Sequence, residues 1–197
     1  KHDRIDRLWD KEEAERIFEQ VKQSASADVT ETKKRSPQSP GRLYDLTTLQ
    51  KEANRLHHLP ASRTLQIAQA LYERHKAITY PRTDSKALPE DYGATCKEML
   101  GTISGELSPH AQLVLSSDWV DEKNKRIFNN KQISDHFAII PTNTPPRGLD
   151  DYELKIYNLI VKRFISVFYP PAQWDVTVRT SALGEHAFKT EGRVLVE

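Results

Sequence analysis

The sequence is poor in cysteine and methionine, with one residue of each among its 197. A single cysteine, Cys96, excludes an intrachain disulfide and any zinc site built from several cysteines. No stretch approaches the ~18 apolar residues of a membrane-spanning helix, and residues 1–4 lack the apolar segment of a signal peptide. We therefore expect a soluble chain in a reducing, intracellular setting.

An excess of charge of one sign is also missing. The chain has 29 Lys and Arg residues against 28 Asp and Glu, a formal net charge of +1. A global electrostatic field therefore cannot attract nucleic acid, and any such contact must come from local clusters. The length fits one domain, or one domain with part of another. Because the chain starts at Lys1 rather than Met and stops within a predicted strand at 194–197, we expect both ends to be cut.

The start of the chain predicts a helix followed by a strand. Asp10 and Glu13 form a capping pair for a helix over about 11–23, whose apolar residues recur at helical spacing. Residues 27–34 alternate like a half-buried strand, which Ser, Pro and Gly then interrupt over 36–41. We place the first domain boundary in this Ser/Pro stretch.

Two short helices around Pro60 predict a helix-turn-helix. Thr47 and Gln50 form a capping pair for the first helix, which ends near His58, and Ser62 caps the second. The predicted inward residues are Leu49, Ala53 and Leu56 in the first helix, and Leu65, Ala68, Leu71 and Tyr72 in the second.

Prolines predict the starts of the next two helices. Pro89 and Pro109 suit the first turn of helices that run to about Leu100 and Ser116. Residues 118–130 are predicted as loop, and 133–142 as loop with a short, partly buried strand. No metal-ligand spacing is evident among His57, His58, His75, His110 and His186.

The clearest helix of the sequence follows the Asp150–Glu153 capping pair. Its apolar residues recur at spacings of three and four until Pro170 stops it; they are Leu154, Tyr157, Val161, Phe164 and Phe168. The tail is predicted to be β, with Trp174, Val176 and Val178 alternating and turns at Gly184 and Gly192. The fold class is therefore α+β and mainly α: a helical middle bracketed by strands, as when one domain is inserted into another.

The segment ITYPRTDS at 78–85 carries the candidate chemistry. Pro81 forces Tyr80 into extended backbone, where residues two apart share a face, so Tyr80, Arg82 and Asp84 should lie side by side. A phenol ionises near a pKa of about 10 and needs a nearby cation or base before it attacks well. Arg82 supplies that cation and can hold a phosphodiester by two parallel hydrogen bonds. This pair suits transesterification at phosphorus, although a tyrosine before proline is more often a packed turn residue.

Basic residues around this segment form a candidate nucleic-acid track. They are Arg63, Arg74, Lys76 and Lys86, together with Arg82. Such a run is more often a solvated face, and the sequence leaves both interpretations open.

Four ordered blocks resemble the type IA DNA topoisomerases, with the topoisomerase III branch most similar. They are YDLTTLQKEAN at 44–54, AQALYE at 68–73, ITYPRTDS at 78–85 and SDHFAIIPT at 134–142. The resemblance implies a winged-helix-like domain over 43–171 that bears the catalytic tyrosine. Residues 1–42 and 172–197 would then belong to the gate or arch domain. One departure is Phe137, where many relatives carry a second histidine.

The resemblance also implies roles for individual residues. Tyr80 would become joined to the 5′-phosphate of a cut DNA strand, Arg82 would contact the scissile phosphate, and His136 would position groups or shuttle protons. Asp84 either orients Arg82 or caps a turn. No metal ligands are expected in this chain, because the family's acidic Mg²⁺ site lies upstream in the parent protein. The implied partners are single-stranded DNA and the parent's remaining domains, in the cytoplasm with nucleoid or plasmid DNA.

Two functional hypotheses follow from these residues. In the first, the chain is part of an enzyme that cuts and reseals one DNA strand without ATP, for relaxation or decatenation, and is inactive alone. In the second, it is a winged-helix DNA-binding module without chemistry. A tyrosine recombinase would need several arginines and histidines around the tyrosine, whereas only Arg82 is close in sequence.

Overall fold

A computed structural model describes residues 8–196; residues 1–7 and 197 lie outside the described part, and with them the signal-peptide argument about residues 1–4. The chain divides into two compact units, one over Ser39–Pro170 and the other made of the segments up to Gln38 and from Pro171 onwards. The described residues form six α-helices and a three-stranded antiparallel sheet, the α+β class predicted. No helix in the described range is long and apolar enough to span a bilayer.

The flanking unit contains one helix and the sheet. Helix α1 (Lys11–Lys22) begins as predicted, with the Asp10 carboxylate accepting a hydrogen bond from the Glu13 amide at 2.9 Å. The sheet has the order β1-β2-β3, with β1 over Asp28–Gln38, β2 over Ala172–Leu183 and β3 over His186–Leu195.

The predicted interruption at 36–41 is wrong over its first residues, since β1 continues to Gln38 and Pro37 pairs with Gln173. Proline is tolerated there because β1 is an edge strand, which needs only one hydrogen-bonded side. β1 is also almost wholly exposed rather than half-buried. The turn at Gly184 is confirmed (φ 59°), whereas Gly192 pairs with Thr177 inside β3.

The middle unit contains the other five helices: α2 (Leu46–His57), α3 (Ala61–Glu73), α4 (Gly93–Thr102), α5 (Ser108–Ser116) and α6 (Asp151–Ser166). The cap of α2 is Asp45 with Thr48 rather than Thr47 with Gln50, because the extended backbone ends at Asp45. Helix α3 follows Pro60 directly and has no side-chain cap, so Ser62 lies inside its first turn.

Of the two proline-opened helices, one is confirmed. Pro109 lies in the first turn of α5. Pro89 instead begins a turn, in which the Tyr92 amide donates to the Pro89 carbonyl at 3.1 Å, and α4 starts only at Gly93. Helix α6 has the predicted Asp150–Glu153 capping box.

Two hydrophobic clusters form the core of the middle unit, and both include residues of α6. The first cluster takes Val161 and Phe164 from α6, and the second takes Ile156 and Ile160. The main departures from the predicted inward residues are Leu56 and Leu154, which are 43% and 47% exposed. The inward residues of α3 that the pattern missed are Thr64 and Ile67.

The segments carrying Tyr80 and His136 both run from one cluster to the other. Ile78 and Ile139 belong to the second cluster, and Leu88 and Ala138 to the first. Between Ser39 and Pro170 the described backbone has isolated bridges, such as Ile78 with Pro141, and no regular strand. The wing of a winged helix therefore stays a prediction.

Candidate active site

Burial alternates along the segment from Tyr80 to Ala87. The odd-numbered residues face the interior: Pro81, Thr83, Ser85 and Ala87 are buried. The even-numbered residues face outward: Arg82 and Asp84 are exposed, and Tyr80 and Lys86 are half-buried. Such two-residue alternation is typical of extended backbone, and the shared face of Tyr80 and Arg82 stays a prediction.

Side-chain hydroxyls fasten this segment to the one that carries His136. Each of these hydroxyls donates a hydrogen bond to a backbone carbonyl of the other segment. The three bonds are Thr79 Oγ1 to Ala138, Thr83 Oγ1 to His136 and Ser85 Oγ to Gln132, each at 2.9 Å. The two segments are thus held together from the buried side, which leaves the outer side chains free of these bonds.

A tight reversal after α3 brings Tyr80 back towards that helix. Lys76 adopts the left-handed conformation, with φ at 53°. Thr142 fixes the reversal, because its hydroxyl donates to the Lys76 carbonyl at 2.6 Å and its amide to the Ala77 carbonyl at 3.0 Å. The chain therefore returns past the last turn of α3, where Tyr72 lies.

Three aromatic rings meet at the outer face of the segment. The Tyr80 and His136 rings have centroids 4.3 Å apart and an interplanar angle of 46°. The Tyr72 and Tyr80 rings are 5.4 Å apart in an edge-to-face arrangement of 78°. Tyr80 and His136 were named from the sequence, but Tyr72 was assigned only to the core. Its position depends on the reversal at Lys76, which no local sequence signal indicates.

Arg82 and Asp84 differ in their contacts. Within residues 8–196, the Arg82 guanidinium makes no hydrogen bond or ion pair. The Asp84 carboxylate accepts a hydrogen bond from the Ser134 hydroxyl at 3.0 Å. Asp84 therefore joins its own segment to the start of the SDHFAIIPT block, and Arg82 is left available to an anion.

The remaining basic residues of the predicted track are in different environments. Arg63 is exposed and donates a hydrogen bond to Gln66 at 3.4 Å, and the Lys76 ammonium lies 5.8 Å from the centre of the Tyr72 ring. Arg74 instead binds the buried Glu153 carboxylate, and Lys86 pairs with Asp45 at 3.5 Å. Two of the four residues are thus committed to ion pairs within the chain.

Phe137 and His136 have different surroundings. Phe137 is partly buried against the first core cluster, and its ring lies 5.1 Å from that of Tyr92. His136 is exposed apart from its contact with Tyr80. An apolar side chain suits position 137, and His136 is the histidine that meets the tyrosine.

The described residues do not assemble a metal centre. Across residues 8–196, no three His, Cys, Asp or Glu side chains converge into a group that could hold an ion. Cys96 is buried, and burial raises the pKa of its thiol to about 12, with a smaller contribution from Glu122. The thiol is therefore protonated, and so a poor nucleophile, near neutral pH.

Comparison with known proteins identifies the family. A family model described as DNA topoisomerase matches residues 1–197, and the chain belongs to this family. It is 38% identical to DNA topoisomerase 3 of Shouchella clausii, over 97% of this chain and 26% of that protein. It is 37% identical to the Bacillus cereus protein of the same name, over 96% of this chain and 26% of the relative. These similarities confirm the resemblance to type IA enzymes of the topoisomerase III branch.

The fold also matches a solved structure. Full-length topoisomerase I from Thermotoga maritima superposes with a TM-score of 0.63 over 99% of this chain and 32% of that chain, at 21% sequence identity. The chain spans about a quarter of the length of the curated relatives above, whose covered share is 26%.

Proposed function

We propose that this chain is the nucleophile-bearing part of a type IA DNA topoisomerase, in which Tyr80 cuts one strand of single-stranded DNA. The observation that carries the proposal is the placement of the Tyr80 ring. It lies against His136, two residues before an exposed arginine that has no partner in the described chain. A nucleophile, a proton-handling group and an anion-binding group are therefore available in adjoining parts of the chain.

The reaction is a transesterification that conserves the number of phosphoester bonds. The phenolic oxygen of Tyr80 forms a bond to phosphorus as the bond from phosphorus to the 3′ oxygen breaks. The phenol proton is lost and the 3′ oxygen gains one, leaving a 5′-phosphotyrosine and a free 3′ hydroxyl. The reverse step reseals the strand, so ATP is not required. Relaxation or decatenation follows if another strand passes while the break is open.

Arg82 is the group that holds the phosphate. A guanidinium offers two parallel donors to the non-bridging oxygens and stabilises the charge that grows on them during attack. Its exposure, and the absence of a competing partner in residues 8–196, leave these donors available. Asp84 supports the site by its hydrogen bond to Ser134, which holds the two motif segments together.

His136 handles the proton. Imidazole is the side chain best suited to moving protons near neutral pH, and a ring in contact with the phenol can take its proton directly or through one water. The backbone carbonyl of His136 is itself fixed by Thr83, so the ring starts from an anchored position.

Mg²⁺, which the family implies, does not fit the residues of this chain that the structure describes. The described part contains no converging group of acidic or histidine ligands, and Asp84 is engaged by Ser134. We propose that the ion binds to the part of the parent outside this chain and that the isolated piece does not cleave DNA. The winged-helix-like domain over 43–171 would swing on arch segments 1–42 and 172–197 to open the gate.

The test is Tyr80→Phe in the full-length parent. A single-stranded oligonucleotide labelled at the end that remains with the enzyme is mixed with protein, and the covalent adduct is trapped with denaturant and counted. The variant should form no adduct, and Tyr152→Phe should match the parent because Tyr152 is an exposed tyrosine of the same unit. Retention of adduct by the Tyr80 variant would exclude this tyrosine as the nucleophile.

The second candidate function is DNA binding without chemistry. It is favoured by the packing of α2 against α3 across a short turn and by the exposure of Arg63 on α3. In that case Tyr80→Phe would change affinity modestly and no adduct would form with any variant. Arg63→Glu would weaken binding strongly and reduce its salt dependence.

A further inference from the structure

Tyr72 is a neighbour of the candidate nucleophile that the predicted site does not include. It is half-buried on the last turn of α3, and its ring meets the Tyr80 ring edge to face at 5.4 Å. Tyr80 therefore has an aromatic neighbour besides His136, whose ring is 4.3 Å away. These are two ring contacts from two different segments of the chain.

We propose that Tyr72 is a positioning residue, which holds the Tyr80 ring in the orientation needed for attack on phosphorus. This inference rests on the proposed function. A tyrosine side chain rotates about two bonds, and the outer face of the 80–87 segment is open to solvent. Edge-to-face contact with a second ring restricts that rotation because the electron-poor edge of one ring prefers the electron-rich face of the other.

The support for Tyr72 is itself fixed. Tyr72 packs against the second core cluster, so its ring is held from the interior. The Lys76 ammonium lies 5.8 Å from the centre of the same ring, and the Lys76 carbonyl is held by Thr142. A ring anchored by a core and by the adjacent turn gives Tyr80 a rigid surface to rest on.

The ring of Tyr72 carries this role, and its hydroxyl does not. Within residues 8–196 the Tyr72 hydroxyl makes no hydrogen bond, whereas the ring makes the contact with Tyr80. Removing the hydroxyl should therefore leave the geometry intact, and removing the ring should not. The rate of attack depends strongly on the position of the nucleophile, so a small displacement of the Tyr80 ring should slow the reaction by a large factor.

The experiment measures the single-turnover rate of adduct formation by the full-length parent at saturating single-stranded oligonucleotide. Tyr72→Leu should slow the rate about tenfold, since one aromatic pair typically contributes about that factor. The dissociation constant for the oligonucleotide should stay within about twofold, and Tyr72→Phe should keep the parent rate.

The matched control is Tyr157→Leu. Tyr157 is also half-buried and packs against the second core cluster, but it makes no ring contact with Tyr80. Both leucine variants should lose similar thermal stability, and only the Tyr72 variant should slow adduct formation. Should Tyr72→Leu fail to fold, Tyr72→Met fills the space with a flexible apolar chain and tests the same point.

Two results would overturn the inference. One is an equal rate for the Tyr72 and Tyr157 leucine variants, and the other is a Tyr72→Phe rate as slow as that of Tyr72→Leu. The Tyr80→Phe variant separates this failure from failure of the proposed function. If Tyr80→Phe forms no adduct while Tyr72→Leu keeps the parent rate, Tyr80 remains the nucleophile and only the positioning role is lost.

Discussion

The Thr83 hydroxyl donates a hydrogen bond of 2.9 Å to the backbone carbonyl of His136. The same hydroxyl accepts a bond of 3.0 Å from the Ser85 amide, and the Thr83 carbonyl accepts one of 3.0 Å from the Leu46 amide. Thr83 is buried and directly follows Arg82. A single interior residue thus fixes the backbone on which both Arg82 and His136 depend.

Thr83→Val should damage the site while keeping its shape. The valine methyl leaves the His136 carbonyl and the Ser85 amide without their partner, at a cost of about 1–3 kcal/mol for an unsatisfied buried group. We expect that loss in urea denaturation of the chain, and a slower rate of adduct formation in the parent. Thr83→Ser keeps the hydroxyl and should restore most of the rate, and an equally slow serine variant would contradict this explanation.

Arg82→Ala should abolish most of the activity and almost none of the stability. The side chain is exposed and unpartnered within residues 8–196, so the free energy of unfolding should change by less than about 0.5 kcal/mol. Adduct formation should fall by about 100-fold to 1,000-fold, the usual effect of removing one donor to a developing negative charge.

Two further variants sharpen the Arg82 prediction. Arg82→Lys keeps the charge but loses the two parallel donors, so its rate should lie between those of the parent and the alanine variant. Arg147→Ala is the control because Arg147 is another exposed arginine of the same unit, outside the motif blocks. An Arg82→Ala rate equal to that of the control would remove Arg82 from the site.

Glu153→Gln should destabilise the fold near the start of the catalytic segment. The Glu153 carboxylate is buried, binds Arg74, lies 3.2 Å from His75 Nε2 and accepts the Asp150 amide at 3.0 Å. Glutamine keeps the shape and loses the charge. The expected cost is about 1–3 kcal/mol, below that of a fully buried pair because the Arg74 side chain is 65% exposed.

Urea denaturation of the chain measures this effect, with Glu90→Gln as the control. Glu90 pairs with Lys125 at 3.1 Å on the surface, and exposed pairs contribute little to stability. An equal decrease in the free energy of unfolding for the two variants would show that burial of Glu153 does not increase the contribution of its ion pairs to stability.

Local capping signals predicted the starts of two helices correctly. The structure confirms the N-cap at Asp10 and the capping box at Asp150, both of which depend on residues within one turn. Near α2 the predicted pair, Thr47 with Gln50, was wrong, and the structure uses Asp45 with Thr48. The predicted end of β1 was wrong because it depends on a distant part of the sequence. β1 extends through Pro37 because it pairs with β2.

The parts of the candidate site that depend on local sequence were predictable, and the parts that depend on long-range contacts were not. Pro81 predicted extended backbone, and the alternating burial from Pro81 to Ala87 follows that pattern, whereas a shared face for Tyr80 and Arg82 stays a prediction. The neighbours of Tyr80 depend on long-range contacts. His136 entered through family resemblance, and Tyr72 could not be found because a left-handed residue at Lys76 brings it close.

The free energy of unfolding should fall as pH rises above about 9, and Cys96 should cause part of that fall. Burial raises the pKa of the Cys96 thiol to about 12 in the folded chain, whereas an unfolded thiol ionises near about 8.5. Between these values the unfolded state binds fewer protons than the folded state, so stability decreases with pH. Burial also raises the pKa of Tyr44, which acts in the same direction at higher pH.

Cys96→Ala isolates the contribution of the thiol. The variant loses stability at every pH because packing is lost, so the quantity to compare is the change in the free energy of unfolding with pH. Between pH 8 and pH 10 that free energy should fall less for the variant than for the chain that keeps Cys96. Urea denaturation at the two pH values measures both slopes. In the folded chain without the substitution, at pH 8, a thiol-reactive disulfide reagent should label Cys96 only as fast as the chain unfolds, because the buried thiol is neutral. Immediate labelling, or identical slopes with and without the thiol, would show that Cys96 is open to solvent in the folded chain.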